Sequence, residues 1–300
     1  MRSAIVLAAG KGTRMKSSLN KVMHPVSNKP MIGHIVSSLR KAGVENIVVV
    51  VGHGAESVKE YLGDSVQYAL QEPQLGTGHA VMQAQCLKDL DGDTLILCGD
   101  GPCIQSETIE QAFAANENSE MTVLTALLPD GERYGRIVRN SKGDVEKIVE
   151  AKDCTPQQLE IKEINTGIFC FKNKLLFENL QEIGNDNAQN EYYLTDLVEI
   201  FNRKQLRVRA AVVSDPQETM GVNDRVDLAK AQKWMTRHEC ERHMRNGVTI
   251  VDPDTTYIDV GVQIGQDTVI YPNVMIQGDT VIGSNVTIYS NSFLRNAVIG

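Results

Sequence analysis

Three short polar stretches in this 300-residue chain have residue types and spacings that could do chemistry. The first is Gly10-Lys11-Gly12-Thr13-Arg14-Met15, with Lys21 close behind, at the end of the apolar run Ala4-Ile5-Val6-Leu7-Ala8-Ala9. Glycines let a backbone turn sharply and approach a ligand closely, and backbone N–H groups beside Lys and Arg suit a polyphosphate. The same residues would equally serve a strand and a turn whose charges face water. Spacing sets aside two better-known phosphate loops: a P-loop needs four residues between its glycines and a following Lys-Ser/Thr, and a dinucleotide fingerprint needs a third glycine where Met15 stands.

The second stretch is Gln71-Glu72-Pro73-Gln74-Leu75-Gly76-Thr77-Gly78-His79-Ala80. Amides such as Gln71 and Gln74 can read donors and acceptors on a base edge, and Gly76 and Gly78 give backbone access. The alternative is a polar turn that caps a helix, with His79 structural rather than a base. The third is Gly99-Asp100-Gly101-Pro102. A carboxylate between glycines can hold Mg²⁺ if substrate phosphates and waters complete the shell; it can also be a turn aspartate bonding its own backbone.

The elements that must position these stretches follow from periodicity. Apolar runs predict buried strands from Ala4, over Ile47–Val51, Val66–Leu70 and Thr94–Cys98. Helices are predicted over Pro30–Gly43, Ala55–Leu62 and Gly78–Leu87. Strands alternating with helices imply an α/β domain with a mostly parallel sheet, where ligands sit beyond the strands' carboxyl ends. A stretch that reads as separate follows: a strand at Met121–Leu128, a hairpin of Tyr134–Val138 and Val145–Val149, a helix from Glu191 to about Asn202, and a strand at Val208–Val213. Glu150, Asn165, Thr166 and Gly167 suit a sugar's hydroxyls and N-acetyl group. A long helix is predicted from Asn223 to about Met244.

From Ile258 the pattern changes. Ile258, Ile264, Ile270, Ile276, Ile282, Ile288 and Leu294 recur every six residues, and four places after each stands a small or β-branched residue, the last being Val298. These are hexapeptide repeats, in which each aliphatic residue points inward and stacks on the one a turn below. Repeats bury surface only against neighbours, and the absence of a cap at Gly300 leads to the expectation of a fragment.

Net charge is −8, which argues against a nonspecific nucleic-acid binder. No apolar run approaches the ~18 residues of a membrane span. The six cysteines lack Cys-x-x-Cys spacing and read as reduced thiols in a cytoplasmic protein.

Leu7 through Met15 with Lys21 resembles the signature of sugar-nucleotidyltransferases. With Gln71, Gly76-Thr77-Gly78, Gly99-Asp100, Tyr134-Gly135-Arg136-Ile137, Ile148-Val149-Glu150, Glu163-Ile164-Asn165-Thr166-Gly167, Asn187-Ala188-Gln189, Glu191 to Asp196, Gly221-Val222-Asn223 and the hexapeptides, the chain from residue 3 onward is similar to the N-terminal portion of a bifunctional family. That family pairs N-acetylglucosamine-1-phosphate uridyltransferase with glucosamine-1-phosphate acetyltransferase.

The resemblance implies a Rossmann-like nucleotidyltransferase domain over 1–224, a linking helix over 225–246 and a truncated left-handed parallel β-helix over 247–300. It implies transfer of uridylyl from UTP to N-acetylglucosamine 1-phosphate, with Mg²⁺. Leu7, Ala8, Ala9, Gly10, Gln71, Gly76 and Thr77 would hold the uridine, and Arg14 and Lys21 the triphosphate. Gly135, Glu150, Asn165 and Asn223 would contact the sugar phosphate, and Asp100 with Asn223 the metal. Arg14 is expected to act on kcat more than on UTP binding. Two departures stand beside the metal carboxylate: Cys98 before Gly99-Asp100, where the family often has Tyr, and Gly101 after it, where a larger aliphatic is common. The implied assembly is a homotrimer of the full-length protein, and acetyl transfer is expected to be absent from these 300 residues. Another nucleotidyltransferase, or a silent sugar-nucleotide-binding module, are the competing readings.

Overall fold

Arg2–Ala8 forms the central strand β1 because both of its faces are covered: Ala4, Val6 and Ala8 join one apolar cluster and Ile5 the other. The computed structural model describes residues 1–131 and 133–300, which divide into two compact units. The first holds Met1–Met23 and Met31–Gly221; the second holds His24–Pro30 and Val222–Gly300.

After β1 come the short strands β2 (Pro25–Val26) and β3 (Lys29–Pro30), then helix α1 (Met31–Lys41), β4 (Asn46–Val51), α2 (Ala55–Leu62), β5 (Gln67–Leu70), α3 (Thr77–Met82) and β6 (Asp93–Cys98). The chain continues through α4 (Ser106–Asn116), β7 (Met121–Leu127), β8 (Arg136–Arg139), β9 (Val145–Val149), α5 (Pro156–Leu159), β10 (Glu163–Lys172), α6 (Asn173–Asn179), α7 (Leu197–Arg203), β11 (Val208–Val212) and α8 (Arg225–Arg245).

Among the described residues of the first unit the sheet order is β11-β7-β10-β6-β1-β4-β5. β1 runs parallel to β4 and β6, β4 to β5, and β7 to β11. Only β10 runs against its neighbours β6 and β7, and the β8–β9 hairpin hangs from it at Ile164. The mostly parallel sheet is therefore as expected, but residues after Met121 are not a separate stretch. They extend the same sheet, because β10 inserts between β6 and β7 from far along the chain. Ile32, Ile35, Leu39, Val58, Ile109 and Phe113 cover one face; Val81, Leu176, Phe177, Leu197 and Phe201 cover the other. Fully burying such side chains stabilises by about 1.5–3 kcal/mol each.

Two helix boundaries differ from expectation. No helix opens at Glu191: the chain stays extended to Tyr193, makes one tight turn at Leu194–Asp196, and only then enters α7. The predicted helix over Gly78–Leu87 is α3 followed by a separate tight turn at Gln85–Leu87.

In the second unit, Asp224 caps α8, its carboxylate accepting from the N–H groups of Val226 at 2.8 Å and Asp227 at 3.0 Å. The β2–β3 hairpin also belongs here. Ser27 donates its N–H to Gln232 on α8 at 2.7 Å, and the Ser27 hydroxyl accepts from the Val260 N–H at 2.8 Å. The repeats form three parallel sheets in the register Ile258–Ile276–Leu294, Ile264–Ile282–Ile299 and Ile250–Ile270–Ile288. This is the start of a left-handed β-helix. Corners fall at Asp267, Asn273, Asn285 and Asn291, all at positive φ, a conformation that Asn and Asp tolerate. Two corners come one residue early, at Gly278 and Asn296, and after the second Ile299 rather than Gly300 pairs with Ile282. Val298 therefore points outward, 84% exposed, and Ala297 takes the small position, its N–H donating to the Thr280 hydroxyl at 3.3 Å.

Candidate active site

The parallel strands β6 and β1 end side by side at Cys98 and Ala8, β5 ends at Leu70 on the far side of β4, and a cleft of about 250 Å³ opens beyond them. Its lining includes Leu7, Ala8, Ala9, Gly10 and Lys21 from the first polar stretch, Gln71, Gly76 and Thr77 from the second, and Cys98 and Asp100 from the third. Stretches dozens of residues apart are thus brought together in one cleft. Val22, Gln74, Ala80 and Glu191 complete the wall. Glu191 received no role from the sequence; only its place in the Asn187–Asp196 motif singled it out.

Each loop is braced from behind. Asn20 donates its side-chain amide to the His53 carbonyl at 2.7 Å and accepts from the Val22 N–H at 3.1 Å, which fixes the approach to Lys21. Gly12, at φ 59°, lies flat on the Lys21 stem, so that a Cβ there would stand 2.5 Å from the Lys21 Cβ. The Lys21 ammonium pairs with an Asp100 carboxylate oxygen, both side chains being mostly buried. Gly99 lies beneath the floor, its N–H donating to the Leu7 carbonyl at 2.8 Å. The backbone of Gly221 passes the Asp100 carboxylate: a Cβ on it would be 3.2 Å from Oδ1.

On the second loop, Gln71 is buried, and its Nε2 faces the Gly76 carbonyl at 3.0 Å and His79 Nδ1 at 3.1 Å. The carbonyl fixes the amide orientation, since an amide oxygen turned toward it would meet another acceptor. Oε1 is then the atom with no protein partner among the described residues. His79, tied to Gln71 and to Gln83 at 3.3 Å, serves as a strut.

Of the remaining sequence-predicted residues, Arg14 sits exposed in the single turn Thr13–Met15, outside the cleft lining. Gly135, Glu150 and Asn165 form a second group beside the floor. The register of β10 against β7 shifts between Asn165 and Ile168, and this bulge swings Thr166 and Gly167 out of the ladder. A Cβ on Gly167 would lie 3.8 Å from the Cys98 sulfur. Asn165 donates its N–H to the Gly135 carbonyl at 2.8 Å. Glu150 accepts from the Thr195 hydroxyl at 3.4 Å. Asn223 belongs to the second unit, where its N–H donates to Asp227 at 3.1 Å.

Electrostatics disfavour a thiolate at Cys98. Burial pushes the Cys98 thiol up to about 12, and the Asp100 carboxylate adds to this against the opposing Lys21. Burial also raises Glu150 above the usual carboxylate range, with the Thr195 hydroxyl opposing. Asp196, next to Thr195, is raised to about 6 by burial and by Glu199 and Asp153. In the folded state it keeps a proton that the unfolded chain releases near 3.8. Stability therefore falls as pH rises from about 4 through about 6. Asp196→Asn is expected to flatten that slope and to raise the midpoint of thermal unfolding at pH 7, read from melts across pH 4–8. An unchanged slope counts against a raised Asp196.

The donor set also bears on a metal. Among the described residues no three His, Cys, Asp or Glu converge as a metal cage. Asp100 is a single carboxylate at the cleft floor, which fits Mg²⁺ held partly by substrate oxygens and does not fit a self-sufficient protein site.

The Nucleotidyl transferase family model matches residues 3–217, and the bacterial transferase hexapeptide model matches residues 261–296. The chain belongs to the nucleotidyl transferase family. The transferase match contains β1, the cleft and the Gly135–Asn165 group. The chain is 53% identical over 279 residues to the Bifunctional protein GlmU of Latilactobacillus sakei, covering 92% of this chain and 60% of that one. It is likewise 53% identical to the Bifunctional protein GlmU of Geobacillus thermodenitrificans, covering 100% of this chain and 66% of that one. It thus spans less than two thirds of the length of these curated relatives. A protein assigned as a glucose-1-phosphate thymidylyltransferase from Bacillus anthracis shares the fold, with a TM-score of 0.62 at 22% identity over 77% of this chain and 94% of that one. No helix among the described residues of this nucleotidyl transferase is long and apolar enough to cross a membrane.

Proposed function

We propose that the chain transfers uridylyl from UTP to N-acetylglucosamine 1-phosphate, giving UDP-N-acetylglucosamine and pyrophosphate. The observation that carries this is the cleft itself: a backbone-lined end at Leu7–Gly10, Gly76 and Thr77 with Gln71, and a charged end with Lys21 and Asp100. Uracil carries an N3–H donor where cytosine has an acceptor, and the Gln71 Oε1 is an acceptor in search of one. A sugar phosphate oxygen, already ionised at neutral pH, attacks the α-phosphorus; the new P–O bond forms as the bond to the β-phosphate bridge breaks, and pyrophosphate leaves with the electron pair. No general base is needed. The barrier is the approach of two anions, and Lys21 and Arg14 are the cations this chain offers against it. Gly135, Glu150 and Asn165 hold the sugar. Asp100 would hold Mg²⁺ together with phosphate oxygens, and the ion would supply further neutralisation there.

The β-helix supports a second part of the reading. Tyr257, Met275 and Phe293 stand in register on one outer face, and Tyr271 stacks on Tyr289 at 5.7 Å on another. Exposed apolar columns of this kind suit self-association, and a trimer of the whole protein with acetyl transfer on the β-helix is the assembly we infer. The relatives' printed name, bifunctional, supports a second activity in the whole protein.

Pyrophosphate release measured over UTP, dTTP and CTP with several sugar 1-phosphates tests the transfer. UTP with N-acetylglucosamine 1-phosphate is expected to be the best pair. Gln71→Ala is expected to lower kcat/KM for UTP roughly tenfold and to narrow the preference over CTP. Equal turnover of CTP and UTP by the unaltered protein would discard the uridine assignment.

A further inference from the structure

Neither Asn187 nor Glu191 has a task in binding phosphate, base or metal, yet the fold spends many contacts on holding Glu191 in the cleft wall. The Asn187 side chain grips the Glu191 backbone on both sides, donating to its carbonyl at 2.6 Å and accepting from its N–H at 3.2 Å. The next residue is clamped to the Gly76 loop. Tyr192 donates its N–H to the Leu75 carbonyl at 2.8 Å, and its carbonyl accepts from the Gly78 N–H at 2.8 Å. The Leu194 N–H donates to the Thr77 hydroxyl at 3.0 Å. Gly76, at φ 105°, is part of this clamp: a Cβ on it would stand 2.9 Å from the Glu191 Cβ and 2.7 Å from the Tyr192 carbonyl oxygen. The Glu191 carboxylate itself has neither a hydrogen bond nor an ion pair among the described residues, and Glu191 lines the cleft.

A carboxylate in a cleft for a polyanion is repelled by phosphate, so its task lies at the Gly76–Thr77 end, away from Lys21 and Asp100. It can only accept hydrogen bonds. A uridine nucleotide offers few donors: the base N3–H, which faces Gln71 in the proposed pose, and the ribose hydroxyls. We propose that Glu191 is a specificity-determining residue that accepts a hydrogen bond from a ribose hydroxyl and so selects ribonucleotides over deoxyribonucleotides. This rests on a nucleoside triphosphate occupying the cleft as proposed above. The clamp through Asn187 and Gly76 fixes the carboxylate before binding, which converts one charged hydrogen bond into discrimination.

The test is equilibrium binding of UTP, 2′-deoxy-UTP and 3′-deoxy-UTP, with CTP and 2′-deoxy-CTP alongside, to the unaltered protein and to Glu191→Ala and Glu191→Gln. The unaltered protein is expected to bind at least one deoxy analogue about tenfold more weakly than UTP. In Glu191→Ala that ratio is expected to approach one, and Glu191→Gln, which keeps an uncharged acceptor, to fall between. Because the ratio compares two ligands on one preparation, a partly unfolded variant does not mimic the effect. Two results overturn the assignment: no discrimination by the unaltered protein against either deoxy analogue, or a ratio in Glu191→Ala within about twofold of the unaltered value. Equal binding of UTP and CTP would instead sink the uridine assignment, while the ribose ratio, read on either base, still decides the role of Glu191.

Discussion

Asp100→Ala is expected to leave a folded protein that releases almost no pyrophosphate from UTP and N-acetylglucosamine 1-phosphate at saturating Mg²⁺. Among the described residues the carboxylate is the one acidic side chain on the cleft floor beyond β6, between Gly99 and Gly101, and it is paired with Lys21. Removing it takes away the group that would hold the cation and also the partner that holds the Lys21 ammonium in place. Electrostatic groups of this kind are worth about 2.7–4 kcal/mol in the transition state, a loss of roughly 10²–10³ in kcat. The structural cost is that of a mostly buried pair: the side chains are only 14% and 20% exposed, so removing one partner costs up to about 3 kcal/mol and lowers the melting midpoint without abolishing the fold. Asp100→Asn, which keeps shape and one acceptor, separates charge from packing: it is expected to melt like the unaltered protein and to turn over as poorly as Asp100→Ala. Near-normal turnover by either variant would remove Asp100 from the mechanism.

What could be read from the sequence was local. The run Ala4–Ala8 is apolar at every position, so a strand covered on both faces follows, and the glycines and cations after it mark its carboxyl end. Gln71 and Asp100 lie just beyond strands for the same reason. The six-residue spacing from Ile258 carries its own register, and of the two early corners only that at Asn296 breaks it. The parts that escaped depend on distant partners. β10 reads poorly because Asn165-Thr166-Gly167 interrupts its alternation, and nothing local says that it enters antiparallel between β6 and β7. Helix α4 buries Ile109, Ala112 and Phe113 but has polar residues at most other positions, so its stripe is thin. Glu191 follows a polar loop and precedes apolar residues, which resembles a helix start. Backbone hydrogen bonds to Leu75 and Gly78, more than a hundred residues earlier, hold the next residue out of a helix instead.

The position of Lys21 gives the second large expected effect, and it can be reached without touching Lys21. Gly12 has φ 59°, and a Cβ added there meets the Lys21 Cβ at 2.5 Å, Cγ at 3.2 Å and Cδ at 3.3 Å. Backbone strain for a non-glycine residue in this conformation is on the order of 1 kcal/mol, a modest loss of stability. The greater consequence is that the lysine stem must shift, and its ammonium then no longer meets Asp100. Gly12→Ala is therefore expected to lower kcat by about 10²-fold, approaching removal of the lysine charge itself. Gly10 is the contrast. A Cβ there meets no protein atom within 4 Å, and Gly10 lines the cleft. Gly10→Ala is expected to leave the melting midpoint unchanged and to act on KM for UTP, because the added methyl occupies space next to the nucleotide. Steady-state kinetics on the two variants separate the cases. A Gly12→Ala enzyme with full kcat would mean that the lysine stem has another path to Asp100, or that the ion pair has no part in turnover.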